Sequence, residues 1–179
     1  KRKLRRPSWQ PVEGCLTLAG DQGPLLSFDS NKNMIAINSA STIKEGVTAE
    51  IINIGSGSES EISGKNLTGK ILFGIGSVRS LHAIVIKHKA IGLLTYSIPP
   101  YNQPEQHTSS ISFGSIPYLD SLENKWCLFL SYGAKERLVT ALAAGSVQAT
   151  VKIQTTFYTN DELTLIANVK GTVQKEERF

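Results

Sequence analysis

The stretch Gly69-Lys70-Ile71-Leu72-Phe73-Gly74-Ile75-Gly76 decides the fold, together with the residues that follow it as far as Ser97. Its apolar run, Ile71–Ile75, predicts a buried strand bounded by glycines. Residues 78–90 then place apolar side chains at helical spacing, and Ile91–Tyr96 is a second apolar run. Strand, helix and strand in this order predict a parallel pair joined by a crossover helix, with both faces of the strands covered.

The second half of the chain adds a helix and alternating strands. Residues 133–145 have helical spacing and end at a glycine that can stop a helix. Three apolar residues are predicted to share one face of this helix: Leu138, Val139 and Leu142. Apolar and polar residues alternate over 147–157, which predicts a strand with one buried and one wet face. Residues 163–169 alternate again and predict a further strand, for which a neighbour could lie outside this sequence.

The rest of the chain predicts short strands separated by loops. Further strands are expected at residues 15–18, 34–37, 46–55, 111–119 and 126–132. Residues 56–64 are poor in apolar side chains, and we expect them to form an exposed loop.

The positive charge of the chain is concentrated at one end. The 179-residue sequence has a formal net charge of +4, and residues 1–6 contain five basic side chains. Removing these five charges leaves about −1, so the basic character belongs to one segment. That segment could be a nucleic-acid arm or a localisation signal, but a solvated linker is the interpretation we favour. No other region interleaves aromatic and basic residues, so we expect no nucleic-acid partner.

The sequence predicts no catalytic residue, no metal ligand and no cofactor-binding residue in this chain. A hydrolytic zinc site needs converging His, Asp or Glu ligands. His82 and His88 are six residues apart on the predicted helix and so lie on different faces, and His107 is alone in a loop. Gly74-Ile75-Gly76 suggests a dinucleotide-binding turn, but Arg79 stands where the third glycine would be. We interpret these glycines as a tight turn.

Three other features have ambiguous roles. Gly55-Ser56-Gly57-Ser58 lacks the pattern of a nucleophile elbow and is expected to be a loop. Cys15 and Cys127 are too few for a disulfide scaffold; whether they pair is left open, and Cys127 is expected to be a buried thiol. Asn66-Leu67-Thr68 matches a glycosylation sequon, which matters only in a secreted eukaryotic protein.

Residues 69–97, GKILFGIGSVRSLHAIVIKHKAIGLLTYS, resemble the protease-associated (PA) domain. That family typically has Gly-Lys before an apolar run, a glycine-containing turn, and a helix with Lys and Ala near its end. Here Gly69-Lys70 opens the match, Lys87 and Lys89-Ala90 lie near the helix end, and Ile91-Gly92-Leu93-Leu94 closes it. The family often has a small residue where Ile91 stands. The later run SYGAKERLVTALAAG is also similar to the end of PA domains.

The last residues, ELTLIANVKGTVQKEERF, resemble a different block, the start of the catalytic domain of the di-zinc aminopeptidases. Asn168-Val169 and Gly171-Thr172 match residues of that block, and Glu176-Glu177 occupy its acidic stretch. In that family the next strand carries a His-x-Asp pair, which supplies the first metal ligands. This sequence contains no such pair.

Together the resemblances imply a β-rich α/β fold, a PA-type swivelling β/β/α domain with flanking strands. We expect a basic linker and extended segment at 1–43, a PA-like domain at 44–146, and strands leading into an absent zinc-peptidase catalytic domain at 147–179. The implied parent protein removes N-terminal residues from peptides with two zinc ions. This chain would be its non-catalytic part beside the active site, shaping substrate access or domain packing.

The implied partners are the parent peptidase domain and a peptide substrate, with homodimerisation left open. The implied location is extracellular, periplasmic or membrane-associated, although no signal peptide opens the sequence. The alternative is a PA-type module that binds proteins or peptides, as part of a sorting receptor, a membrane-bound ubiquitin ligase or a subtilisin-like protease. Asn168-Val169-Lys170-Gly171-Thr172 favours the aminopeptidase, since only that architecture should follow the PA helix with such a block.

Overall fold

The computed structural model describes residues 2–4, 6–119, 125–162 and 165–167 of the chain. The chain divides into two compact units. Residues 9–156 belong to the larger unit, and the described residues among 1–8 and 157–179 belong to the smaller one. The division of the chain expected from the sequence, at residues 43 and 146, stays a prediction.

The regular elements come in the following order. The first half contains β1 Arg2–Lys3, β2 Ser8–Leu18, β3 Leu26–Ser27, β4 Val47–Asn53, α1 Glu59–Ile62, β5 Ile71–Gly74 and α2 Val78–Lys87. The second half contains β6 Gly92–Thr95, a 3-10 turn at Pro100–Asn102, β7 Trp126–Phe129, α3 Tyr132–Ala144, β8 Val147–Tyr158 and β9 Asp161–Glu162. No described helix is long and apolar enough to cross a membrane.

A seven-stranded mixed sheet with few helices confirms the predicted α/β class. Its strand order is β3-β2-β8-β4-β5-β6-β7. The strands β4, β5, β6 and β7 run parallel, and β8 lies antiparallel to β4. Strand β5, helix α2 and strand β6 form the predicted parallel unit. In the smaller unit, β1 and β9 form an antiparallel pair of two residues each.

Strands β5, β6 and β7 bury both of their faces, as their apolar sequences predict. Along β5, Ile71 and Phe73 join one apolar cluster, which also contains the buried residues of α3. The residue between them, Leu72, joins a second cluster that contains the buried apolar residues of α2, Leu81 and Val85. Side chains on a strand alternate between faces, so one short apolar strand supplies both halves of the core.

Strand β8 confirms the alternation read from the sequence. Its first residues alternate between buried and exposed positions, with Val147, Ala149, Val151 and Ile153 on the buried side. The strand lies between β2 and β4, so it has neighbours on both sides within this chain.

Two helices differ in detail from the sequence prediction. Helix α2 ends at Lys87 instead of Ala90, because the chain turns at Lys89, where φ is +54°. Helix α3 begins at Tyr132, one residue before the predicted start, after an N-terminal cap by Ser131. Leu138 is fully buried in α3, but the neighbouring Val139 is 39% exposed. Consecutive helical residues point about 100° apart, so these two do not share the buried face.

Several predicted strands and one predicted loop were wrong. Residues 111–119 form no strand and contribute a single bridge, Ile37 to Ser115. Residues 34–37 likewise make isolated bridges only. Residues 34–36 make two main-chain hydrogen bonds to β7, and Ile37 makes two to residues 114–116. Each contact therefore stays a single bridge and no continuous ladder forms. Residues 56–64 contain the short helix α1, which begins with a capping box formed by Ser58 and Glu61.

The strand predicted at 163–169 is also corrected where the structure describes it. Residues 165–167 have no regular structure, and Leu165 and Ile166 are 98% and 82% exposed. Among the residues described near this segment, the strand pairing is that of β1 with β9, which ends at Glu162. The motif residues Asn168-Val169, Gly171-Thr172 and Glu176-Glu177 lie outside the described residues.

Candidate functional site

The three histidines considered as ligands lie in different environments. His82 is 2% exposed within α2, and burial lowers the pKa of its imidazole. His88 caps the end of the same helix, and His107 lies on an exposed loop. Among the residues that the structure describes, no group of three or more His, Cys, Asp or Glu side chains is placed to hold a metal ion.

The loop after β4 is filled by a side chain of the protein itself. The Glu61 carboxylate accepts hydrogen bonds from the N–H groups of Ser56 and Ser58, both at 3.0 Å, and from their hydroxyls at 2.7 and 2.6 Å. The Ser58 and Ser56 side chains, followed by their N–H groups, lower the pKa of Glu61 to about 2. A Cβ at Gly55 would lie 1.8 Å from Glu61 Oε1, so the loop needs glycine there. The donors that could have bound an external anion are therefore already used.

The glycines after β5 serve the packing of two loops. The Ile75 N–H donates to the Gly55 oxygen at 2.8 Å, and a Cβ at Gly74 would lie 2.9 Å from the same oxygen. The backbone of one loop thus occupies the space beside the other. This agrees with a structural role for Gly74-Ile75-Gly76.

A cluster of two tyrosines and a lysine lies where β6 ends and α3 begins. Lys135 Nζ is 5.1 Å from the ring centroid of Tyr96 and 4.4 Å from that of Tyr132, which are cation–π distances. Lys135 also pairs with the Glu136 carboxylate. Burial is the main cause that raises the pKa of Tyr96, so its hydroxyl stays protonated at neutral pH. The cluster is packed and charge-neutral, and it presents no activated nucleophile.

The two cysteines are free thiols. Cys127 is fully buried in β7, which confirms the prediction for this residue, and burial raises the pKa of its thiol. A thiol that stays protonated is a poor nucleophile, so Cys127 acts as a small apolar core residue.

A groove of about 730 Å³ lies beside the end of β4, and we call it the β4–α3 groove. Its lining residues are Glu50, Ile51, Ile52, Asn53, Lys65, Asn66, Lys70, Val139, Leu142 and Ala143. One wall is the second half of α3, and the opposite side is formed by β4 and by the segment that leads into β5. A volume of this size, with apolar walls and a few polar groups, is typical of ligand sites.

The polar end of the β4–α3 groove contains two lysines in different states. Lys70 Nζ lies 2.6 Å from Glu50 Oε2, and the Ser146 hydroxyl donates to Glu50 Oε1 at 2.7 Å. Hydrogen bonds from Lys70 and then Ser146 lower the pKa of Glu50. Lys65 Nζ donates to the main-chain oxygen of Asn53 at 2.7 Å, and no described carboxylate lies within 4.0 Å of it. The groove therefore carries one positive charge that the described residues do not neutralise.

Sequence reasoning did not identify this groove, although parts of it carried a signal. Lys70 belongs to the Gly69-Lys70 pair that opens the PA-like stretch, and Asn66 is the first residue of the sequon. Asn66 is exposed, and its Oδ1 accepts the Thr68 N–H at 3.2 Å. The contribution of α3 was hidden, because the sequence pattern placed Val139 on the buried face.

The sequence matches no model of a known protein family and no curated protein. Several solved structures do match its fold. An aminopeptidase from Aneurinibacillus sp. strain AM-1 has a TM-score of 0.60 and 19% identity, covering 88% of this chain and 35% of that one. A peptidase M28 precursor from Shewanella amazonensis SB2B has a TM-score of 0.60 and 14% identity, covering 88% and 38%. A zinc aminopeptidase from Bacillus subtilis has a TM-score of 0.58 and 17% identity, covering 86% and 35%.

These similarities establish a shared fold. The chain spans between 35% and 38% of the length of these three proteins, so what it has in common with them is one segment of a longer polypeptide.

Proposed function

We propose that this chain is the non-catalytic, PA-type part of a zinc-dependent aminopeptidase and that it flanks the active site of the parent protein. The observation that carries the proposal is the fold similarity over 86–88% of this chain to solved peptidases, two of them described as aminopeptidases and one as a zinc enzyme. The PA-like stretch at residues 69–97 and the aminopeptidase-like block at the end of the sequence support the same assignment.

The proposed role is to shape substrate access or to pack against the catalytic domain. The described side chains that we considered for chemistry are occupied: Glu61 closes its own loop, and Lys135 lies over two tyrosines. In this proposal both zinc ions and the reacting groups belong to the catalytic domain of the parent, and the protein acts outside the cytoplasm or at a membrane. Homodimerisation would be a further property of the parent.

The test compares the 179-residue chain with the product of the complete gene. Zinc content is measured by atomic absorption, and aminopeptidase activity with leucine p-nitroanilide. We expect the complete product to bind zinc and to release p-nitroaniline, and the 179-residue chain to do neither. Tight zinc binding and hydrolysis by the short chain would overturn the proposal. A complete gene without a His-x-Asp pair and further ligands after residue 179 would overturn it as well.

A further inference from the structure

We infer that the β4–α3 groove binds an extended peptide segment that carries an apolar side chain and an acidic group. The inference rests on a free main-chain position in β4, on an apolar wall that stays partly exposed, and on an unneutralised lysine. It concerns the 179-residue chain by itself and does not depend on the proposed link to a peptidase.

The first step is that β4 extends beyond its neighbour β8. The Ile54 N–H donates to the Phe73 oxygen at 2.8 Å, so this residue directs its main chain toward β5. Main-chain groups alternate in direction along a strand, so Ile51 and Asn53 point to the opposite side, toward β8. Strand β8 begins at Val147, which pairs with Ile51.

Asn53 consequently has no β8 residue opposite it and faces the groove that it lines. Its oxygen accepts from Lys65 Nζ, and no described main-chain oxygen accepts its N–H on this side. A strand position with a free donor can receive the carbonyl of an added extended segment. A peptide carbonyl is a suitable acceptor for this donor.

The second step concerns the wall supplied by α3. Val139, Leu142 and Ala143 follow the spacing i, i+3 and i+4, which places them on one face of the helix. Val139 is 39% exposed, and all three residues line the groove with Ile52. This apolar stripe can cover a Leu-sized side chain of a bound segment, which makes apolar burial the main source of binding energy.

The third step is charge complementarity. Lys70 is already paired with the Glu50 carboxylate. Lys65 donates only to a neutral main-chain oxygen, so its ammonium group can still donate a hydrogen bond to a charged acceptor. A carboxylate of the bound segment satisfies that position better than a carbonyl does. Like charges at an interface are unfavourable, so the groove discriminates against basic segments.

The binding test uses the 15N-labelled 179-residue chain and three peptides that differ at one residue. The probes are acetyl-Ala-Leu-Ala-Glu-amide and its Gln and Lys analogues, and binding is followed by NMR. We expect saturable shifts that include the Asn53 amide and slower hydrogen exchange at that amide. The Gln analogue should bind about two- to fivefold more weakly than the Glu peptide, and the Lys analogue more weakly still. The absence of saturable shifts with all three peptides, or shifts centred away from the groove, would overturn the inference.

Three variants locate the contacts. Lys65→Gln should remove the preference for Glu over Gln. Val139→Ser should weaken binding of both peptides by about two- to fivefold, because it removes apolar contact. Lys87→Gln, at an exposed lysine on α2, is the matched control and should keep the preference. These positions are exposed, so the three variants should keep the fold. The dispersion of the amide chemical shifts in each NMR spectrum checks this. A preference that survives Lys65→Gln, or is lost in Lys87→Gln, would contradict the assigned groove.

Discussion

Helices α2 and α3 both connect strands of the same sheet, but they use their apolar residues differently. Helix α2 buries Leu81, His82 and Val85 and leaves no long stretch of its apolar face open. Helix α3 buries Ala134 and Leu138, while Val139 stays 39% exposed. The apolar surface of α3 is wider than the surface that the sheet covers. The difference shows that an apolar residue on a crossover helix can belong to a groove instead of the core.

The surroundings of the two helices explain the difference. Two glycines bring the backbone close to α2: a Cβ at Gly57 would lie 2.5 Å from Ile84 Cδ1, and one at Gly74 would lie 2.9 Å from Leu81 Cδ2. The exposed side of α3 instead faces the polar residues of the β4–α3 groove, Lys65 and Lys70 among them. Close backbone packing excludes water from the apolar face of α2, whereas hydrated charged side chains leave the exposed side of α3 open to water.

The sharpest test of this comparison truncates one apolar residue on each helix. Leu81→Ala should lower the free energy of unfolding by about 3 kcal/mol, because it leaves a cavity at a fully buried position. Val139→Ala should lower it by less than about 1 kcal/mol, because water already reaches this side chain. Urea unfolding monitored by circular dichroism measures both. Equal losses would mean that Val139 is a core residue and that the groove is closed in solution.

A second test compares a glycine that packs against α2 with a glycine inside α3. Gly57→Ala should cost about 1–3 kcal/mol, because φ is +82° and the added Cβ would collide with Ile84. Gly133→Ala lies within α3, where a Cβ meets the nearest described atom at 3.4 Å, an ordinary contact distance. Alanine is the better helix former, so this change should be neutral or stabilise by up to about 1 kcal/mol. Urea midpoints compare the two variants, and a destabilised Gly133→Ala would show that the start of α3 is packed as tightly as α2.

A third test uses the buried histidine of α2. Burial lowers the pKa of His82 below its usual 6.5, so the unfolded chain takes up a proton more readily than the folded protein. The free energy of unfolding should therefore fall as the pH falls through 6.5 toward the lowered pKa. Above pH 6.5, where His82 is neutral in both states, this loss should be absent. Urea midpoints at pH 8 and pH 5.5, values that bracket the usual histidine pKa of about 6.5, measure this fall.

The controls for the histidine test separate titration from packing. His82→Gln keeps a polar side chain that does not titrate in this range, so part of the pH dependence should disappear even if the variant is less stable. His107→Gln removes an exposed loop histidine and should leave the dependence unchanged. A pH dependence that persists in His82→Gln would assign the effect to another group.

The sequence predicted the elements whose burial follows from local pattern. The apolar run around Ile71–Gly74, helix α2 and the alternation of β8 all depend on periodicity, and the structure has them within a few residues. The prediction of a strand at 111–119 was wrong, because this segment is a loop that makes a single bridge and packs its apolar residues without a neighbouring ladder. Pattern alone does not report whether a neighbouring strand is present.

The groove could not be predicted for a different reason. It forms where β8 begins opposite Ile51 and where Lys65 reaches the oxygen of Asn53, and both depend on contacts between distant parts of the chain. Hydrophobic spacing assigned Val139 to the core because it does not register what lies opposite each face of a helix. Helix α1 was missed because four residues are too few for a periodic signal, although the capping box Ser58–Glu61 was present in the sequence.

The smallest expected effect concerns that capping box, which orders the loop that packs on α2. Glu61 has a pKa of about 2, below its ordinary value of 4.5, because the side chains and N–H groups of Ser58 and Ser56 donate to its carboxylate. This contribution to stability is present above pH 4.5 and is lost as the pH falls toward 2. Glu61→Gln should lower the urea midpoint slightly at pH 7 and flatten its decline between pH 4.5 and pH 3, a window inside the two pKa values. Glu59→Gln, in the same turn of α1, is the matched control and should keep the decline. If both variants declined like the parent, the carboxylate of Glu61 would not hold the loop in solution, and the sealing of α2 would depend on glycine packing alone.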